Sequence, residues 1–186
     1  INNKNTTYDI PTQKKFILSV GRLTRQKNYK YLINEVGIFL KKNIDYDLII
    51  LGDGEEKKML KNLISDLNLN NRIFLLGHIN NPFYFMKRAS LFILTSLWEE
   101  VGFVIVEAAL SNLLIISSDC PNGPKEFLDN GSGGFLFKSN TKNSLYKILE
   151  GLNYNQSSDK RIIAKKNALK YTRYRHHIKF KKLLSI

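Results

Sequence analysis

The chain has one cysteine, Cys120, in 186 residues. No internal disulfide framework can staple it, which agrees with a reducing compartment, and its stability must come from a packed core. Runs of about 18 consecutive apolar residues are also lacking, so the sequence contains no candidate for a membrane-spanning helix. The opening residues Ile1-Asn2-Asn3-Lys4-Asn5 are polar and do not read as a signal peptide. Neither an internal repeat nor a low-complexity segment nor a linker divides the body, so one domain over 1–186 is expected. Around His78 no second His, Cys or Asp stands at metal-ligand spacing, and the expectation is no metal and no cofactor. Acid is missing only locally. Residues 160–186 hold ten Lys or Arg and no Asp or Glu, and supply most of the formal net charge of +13. The body is therefore nearly neutral, and the charge belongs to a basic helical tail over 158–186 rather than to a nucleic-acid-binding surface.

What is present is a globular composition, 43% hydrophobic and 11% aromatic, in which short apolar runs alternate with helical periodicity. Strands are expected at 16–20, 47–51, 72–75, 91–94, 113–117 and 135–137. Helices are expected at 28–42, 54–67, 82–89, 103–111, 124–128 and 141–152. Apolar strands alternating with helices indicate an α/β protein with a doubly wound, Rossmann-like parallel sheet covered by helices on both faces. Ligands of such sheets bind at the carboxyl ends of the strands. Gly21, Gly52, Gly77 and the turn from Thr95 to Gly102 all fall there.

Within that turn Glu99 and Glu107 are separated by seven residues, one at the turn and the other on the helix that follows. The amides around Gly102, Phe103 and Val104 open the helix, have no intrahelical partner and lie at the positive end of its dipole, a seat for an anion. Two carboxylates beside an anion seat suit a ligand that carries hydroxyls and phosphate together, and a nucleotide-sugar fits. Arg22 and Lys27 follow the first strand, where two cations would offset a diphosphate; the alternative is a solvated basic loop shared with Arg25 and Lys30. Glu107 sits on a mostly apolar helix and either accepts from vicinal hydroxyls or pairs with a nearby lysine. Asp45-Tyr46-Asp47 precedes a strand at the opposite end of the sheet and reads as an exposed turn. Asp53 reads as a turn or helix-capping residue, and Cys120 as a small packing residue rather than a nucleophile. The Asn-x-Ser/Thr triplets at Asn5, Asn130 and Asn155 follow from an asparagine-rich composition.

The segment Thr95 to Ala109 resembles the E-x7-E motif of retaining glycosyltransferases of family 4, which have the GT-B fold. Other stretches match in the same order: Val20-Gly21-Arg22-Leu23-Thr24-Arg25-Gln26-Lys27-Asn28, Leu51-Gly52-Asp53-Gly54-Glu55, Leu76-Gly77-His78, Ser118 to Glu126, and Asn130-Gly131 with Gly134-Phe135-Leu136. The chain departs from the commoner Gly-Phe-Gly after the first glutamate, placing Glu100-Val101-Gly102 there. The resemblance implies the C-terminal, donor-binding half of a GT-B enzyme, with the acceptor domain absent from this chain and the isolated half inactive. It implies a nucleoside diphosphate sugar as donor. The Gly-Pro-Lys-Glu run is similar to a subset that uses UDP-linked hexoses or N-acetylhexosamines.

By resemblance Arg22, Lys27 and Glu99 are catalytic, the cations at the donor phosphates and Glu99 at hydroxyls of the transferred sugar. Gly21, Gly77, His78, Gly102, Phe103, Val104 and Glu107 bind donor, with Glu107 at the ribose. The acceptor would be a hydroxyl in surface polysaccharide or glycolipid synthesis. The protein would be cytoplasmic, or peripheral on the inner face of the membrane. The tail would pack on the missing N-terminal domain or meet an anionic membrane surface carrying a lipid-linked acceptor, with Ile162, Leu169, Tyr174, Ile178 and Leu183 forming its apolar side. A nucleotide-sugar epimerase-like domain and a non-enzymatic polyanion-binding module remain as rival readings. No nucleic-acid partner is expected.

Overall fold

The computed structural model describes residues 8–100, 102–152 and 157–171. Six strands alternate with helices: β1 Lys15–Val20, α1 Tyr29–Lys42, β2 Tyr46–Leu51, α2 Lys57–Asp66, β3 Ile73–Leu75, α3 Phe83–Met86, β4 Leu91–Leu94, α4 Phe103–Leu110, β5 Leu114–Ser118, α5 Pro124–Phe127, β6 Phe135–Phe137, α6 Ser144–Glu150 and α7 Ser158–Ala168. All pairings are parallel and the strand order is β3-β2-β1-β4-β5-β6. The order reverses between β1 and β4, so this doubly wound sheet has its switch point there, and the crevice beyond their carboxyl ends is where such sheets take ligands.

The strands are apolar throughout because both faces are covered. Ile17, Leu48, Ile50, Leu91, Ile93, Leu114 and Ile116 pack under α1, α2 and α6. Phe16, Leu18, Ile49, Leu51, Phe92, Leu94 and Ile115 pack under α3, α4, α5 and α7. The expected doubly wound architecture is the observed one. Its boundaries differ at helix ends: α2 begins at Lys57 rather than 54, α3 is a single turn, and α6 is shorter than 141–152. A 3-10 turn, Arg25–Lys27, lies in what read as plain loop and sets the direction of Lys27.

One sequence expectation is corrected. Asp47 is not part of an exposed turn: it is buried at the start of β2 and paired with Arg72. Tyr46-Asp47 looked like loop because an acid seldom enters a buried strand without a cation to neutralise it, and that cation is 25 residues distant. The described part of the basic tail begins with α7, one side of which packs on this domain's own helices. Ala164 and Ala168 are the fully buried residues, in one cluster with Ala108 and Ala109 of α4, while Ile162 and Leu169 face solvent. Small side chains let the two helices approach closely. Asn167 Nδ2 donates to the Phe127 carbonyl at 2.9 Å and Lys160 Nζ donates to the carbonyls of Gly131 and Gly134, which fixes α7 in place. Tyr174, Ile178, Leu183 and the last five cations lie outside the described residues.

Candidate functional site

At the switch point the loop after β1 and the loop after β4 are stitched together. Gly21 N–H donates to the Leu51 carbonyl at 2.9 Å and Leu23 N–H to the Asp53 carbonyl at 2.9 Å, which turns the β1 loop across the end of β2. Gly52 has φ of 140°, and a Cβ there would stand 1.9 Å from the Gly21 carbonyl oxygen, so only glycine permits this crossing. From the other side Thr95 Oγ1 donates to the Lys27 carbonyl at 2.8 Å, Leu97 N–H to the Gln26 carbonyl at 2.8 Å, and Gln26 Nε2 to the Trp98 carbonyl at 2.9 Å. The Arg25–Lys27 turn is thus locked to the turn that carries Glu99.

Two adjoining depressions share Val20 and Gly21. The first, about 690 Å³, is lined by Lys27, Trp98, Glu99, Gly102, Phe103, Val104 and Glu107, among others. The second, about 600 Å³, is lined by Gly21, Arg22, Gly52, Asp53, His78 and Ile79, with Asn80 and Pro82 at its edge. The structure therefore brings Gly21, Lys27, Glu99, Gly102, Phe103, Val104 and Glu107 to one pocket, and Arg22 and His78 to its neighbour across Gly21. Gly77 lines neither; its carbonyl accepts from Gly52 N–H at 2.7 Å and so holds the wall beneath His78. Asp53 accepts from Gly54 N–H and from Lys57, a turn-closing role that draws its carboxyl below the usual range, Lys57 being the main cause.

Glu99 is the centre of the first pocket. It is 5% exposed, and its Oε1 accepts from Lys27 Nζ and, at 2.6 Å, from Ser96 Oγ. Ser96 is itself buried, and its carbonyl accepts from Ser118 Oγ at 2.7 Å, so a chain of buried hydroxyls from β5 supports the ion pair. Gln26 and Ser96 were not singled out from the sequence. Gln26 is one of several polar residues in its loop and Ser96 a small hydroxyl at a strand end, and neither pattern says which group the side chain would meet. Gly102 opens α4 in the left-handed region at φ 50°. By position, the amides of Phe103 and Val104 lack intrahelical acceptors and face the pocket's end of the helix dipole. Ile105 N–H already donates to the Gly102 carbonyl at 2.9 Å.

Glu107 is half-buried, and no lysine pairs with it among the described residues. Burial alone pushes its carboxyl above the usual range. A desolvated, unpaired carboxylate facing a pocket is an acceptor in want of donors. Arg22 is exposed, with no ion-pair partner among the described residues. Cys120 is buried, and burial raises its thiol, which is the environment of a packing residue. Among the described residues no three His, Cys, Asp or Glu side chains converge, and no helix is long and apolar enough to cross a membrane.

A site of this build has counterparts in known proteins. The sequence model for glycosyl transferases group 1 matches residues 2–170. An N-acetylgalactosamine-N,N'-diacetylbacillosaminyl-diphospho-undecaprenol 4-alpha-N-acetylgalactosaminyltransferase from Campylobacter jejuni is 34% identical over 162 residues, 87% of this chain and 43% of that protein. An uncharacterized glycosyltransferase from Methanocaldococcus jannaschii is 45% identical over 111 residues, 60% of this chain and 27% of that protein. The chain thus spans less than half the length of these curated relatives. Among solved structures, HepE from Anabaena in complex with UDP and glucose superposes with a TM-score of 0.75 at 24% identity, over 93% of this chain and 49% of that one. The crystal structure of TarM superposes with a TM-score of 0.82 at 24% identity, over 92% of this chain and 34% of that one. The fold is therefore the Rossmann-like fold of GT-B glycosyltransferases, and the chain belongs to the glycosyl transferases group 1 family.

Proposed function

We propose that this chain is the donor-binding, C-terminal half of a retaining glycosyltransferase that takes a nucleoside diphosphate sugar, with UDP as the nucleotide. The observation that carries the reading is the convergence of Lys27, Glu99, Glu107 and the first amides of α4 on one pocket at the sheet's switch point. Departure of the diphosphate builds negative charge. Lys27, Arg22 and the α4 amides supply fixed positive charge and N–H donors where that charge develops, the form of stabilisation that contributes most in such sites. Glu107 is the acceptor for a pair of ribose hydroxyls. Glu99 holds Lys27 beside the phosphate seat and its second oxygen is free for a hydroxyl of the sugar. No protein nucleophile is required of these residues.

An acceptor would meet the donor in a cleft between this half and an N-terminal domain. Relatives whose names include diphospho-undecaprenol acceptors support a lipid-linked acceptor and work at a membrane surface. Calorimetry of the chain with UDP tests the donor assignment: weak binding is expected, and no heat would remove it. A transfer assay tests the division into halves, since robust transfer by this chain alone would contradict a missing acceptor side.

A second reading concerns the solvent face of α7. Ile162, Leu169 and Tyr171 are exposed beside Lys165, Lys166 and Lys170, which supports attachment to an anionic membrane surface at about 1 kcal/mol for each well-placed cation. Sedimentation with anionic vesicles across a salt series tests it, and absence of binding at low salt removes it.

A further inference from the structure

Trp98 and Phe103 are 50% and 69% exposed, yet both line the pocket that holds Lys27, Glu99 and Glu107. A diphosphate has no use for them, because its recognition needs cations and amides. The core does not need them either, since Leu94 and Ile105 already pack below. What they share the rim with is acid: Glu99, Glu100 and Glu107 line the same depression. Glu100 and Glu107 repel a second phosphate, and a wholly apolar ligand would desolvate them without offering a donor. Aromatic faces beside hydroxyl acceptors match one class of ligand, a pyranose, whose ring presents an apolar C–H face and hydroxyls at its edge.

Trp98 is also held in place. Gln26 Nε2 donates to its carbonyl at 2.9 Å, and Leu97 N–H donates to the Gln26 carbonyl at 2.8 Å. The backbone that presents the indole is therefore tied to the turn that presents Lys27. A ring lying on Trp98 and a phosphate held by Lys27 would keep a fixed separation, as two parts of one ligand or of two reacting ligands must.

We propose that Trp98, with Phe103, forms an aromatic wall that receives the apolar face of a pyranose ring beside the phosphate seat; this rests on the nucleotide-sugar reading of the pocket. The ring is either the sugar of the donor or a sugar of the acceptor, and one measurement separates them. Trp98 is the only tryptophan in the chain, so its emission can be read without engineering. Acrylamide quenching is measured for the chain alone, with UDP, with UDP-glucose or UDP-N-acetylglucosamine, and with UDP plus a methyl pyranoside. UDP alone leaves quenching unchanged. Protection by a UDP-sugar assigns the wall to the donor's ring, and protection only by UDP with the pyranoside assigns it to the acceptor's.

Trp98→Leu then loses about fivefold of the affinity that the sugar adds to UDP, whereas Trp98→Phe keeps most of it. Calorimetry with UDP runs alongside and separates the two possible failures. Heat with UDP but unchanged quenching with every sugar overturns the wall and leaves the nucleotide site standing. No heat with UDP or UDP-sugars overturns both.

Discussion

At each end of the strands a half-buried cation pairs with a buried carboxylate, and the two pairs are built differently. At the amino end Arg72 Nε donates to Asp47 at 2.6 Å, and the rest of the guanidinium donates to the carbonyls of Leu40, Asn43 and Tyr46. Thr12 Oγ1 donates to the other oxygen of Asp47. Almost every donor and acceptor there is used within the protein. At the carboxyl end, among the described residues, Lys27 has Glu99 alone for its charge and Glu99 has one serine besides, and both line a pocket. A saturated pair has nothing to offer a ligand and joins strand, loop and helix. A sparsely bonded pair facing a pocket keeps donors and acceptors in reserve, as the donor site proposed above requires.

The largest effect separates them on stability. Arg72→Ala leaves Asp47 buried without its cation and is expected to cost about 3–5 kcal/mol, as breaking a buried pair does. Chemical denaturation measures it, and a loss under about 1 kcal/mol would mean the amino-end pair is not the structural anchor described. UDP affinity of whatever stays folded should match the unsubstituted chain.

Next comes the exchange of both partners together. Lys27→Met with Glu99→Gln removes both charges at once, so stability should move by about 1 kcal/mol or less. UDP affinity should nevertheless fall by about 1.5–3 kcal/mol, the worth of a charge-assisted contact to phosphate. Arg72→Met with Asp47→Asn should not be tolerated equally, because the carbonyls of Leu40, Asn43 and Tyr46 lose their donor. If the two double variants unfold at the same denaturant concentration, the contrast fails.

Glu107 sharpens the comparison through pH. Its folded carboxyl titrates above the ordinary value because it is desolvated. Such a group favours the folded state most fully below the unfolded pKa and loses that contribution as pH rises through the folded one. Glu107→Gln removes the loss, so the variant should melt slightly higher than the parent at neutral pH, with the gap closing in acid. UDP should bind it more weakly. A pH series of melting curves gives the answer, and a variant less stable than its parent at neutral pH would show that Glu107 has a partner in the fold.

The smallest effect belongs to a third buried carboxylate. Glu35 of α1 accepts from Asn143 N–H at 2.8 Å and Tyr146 N–H at 3.1 Å, capping α6 from a neighbouring helix. Glu35→Gln keeps one acceptor oxygen of two and should cost about 1 kcal/mol with no change in UDP affinity. A change in nucleotide binding would argue that the cap reaches the pocket.

Most of the fold was legible because a sheet covered on both faces makes each strand an unbroken apolar run, and Gly21, Gly52 and Gly77 mark the strand ends. The gathering of Lys27 with Glu99 and Glu107 was legible only as order along the chain, supported by resemblance. That Glu99 would spend one oxygen on Lys27, 72 residues away, was not, because periodicity says which face a residue takes and not whom it meets there. Asp47 was misread, and the side of α7 that packs on this domain was not anticipated, for related reasons. A buried acid is disguised until its arginine is found, and Ala164 and Ala168 carry little apolar weight in a pattern although close packing favours them over Ile162 and Leu169.

The strand order also bears on how the molecule assembles. Strands β1 to β3 pair with near neighbours in sequence, and so do β4 to β6, but the β1–β4 seam joins residues such as Ser19 and Ile93, 74 apart. Closing so long a loop is the costliest step in chain entropy, so each half gathers its local contacts first and the seam docks late. The pocket straddles that seam, with Lys27 on one half and Glu99 and Glu107 on the other. It therefore comes into existence only when the halves meet, and the nucleotide proposed to sit there would act as a clasp on the last joint to form. Amide exchange along β1 and β4 should slow on its arrival before that of the outer strands β3 and β6.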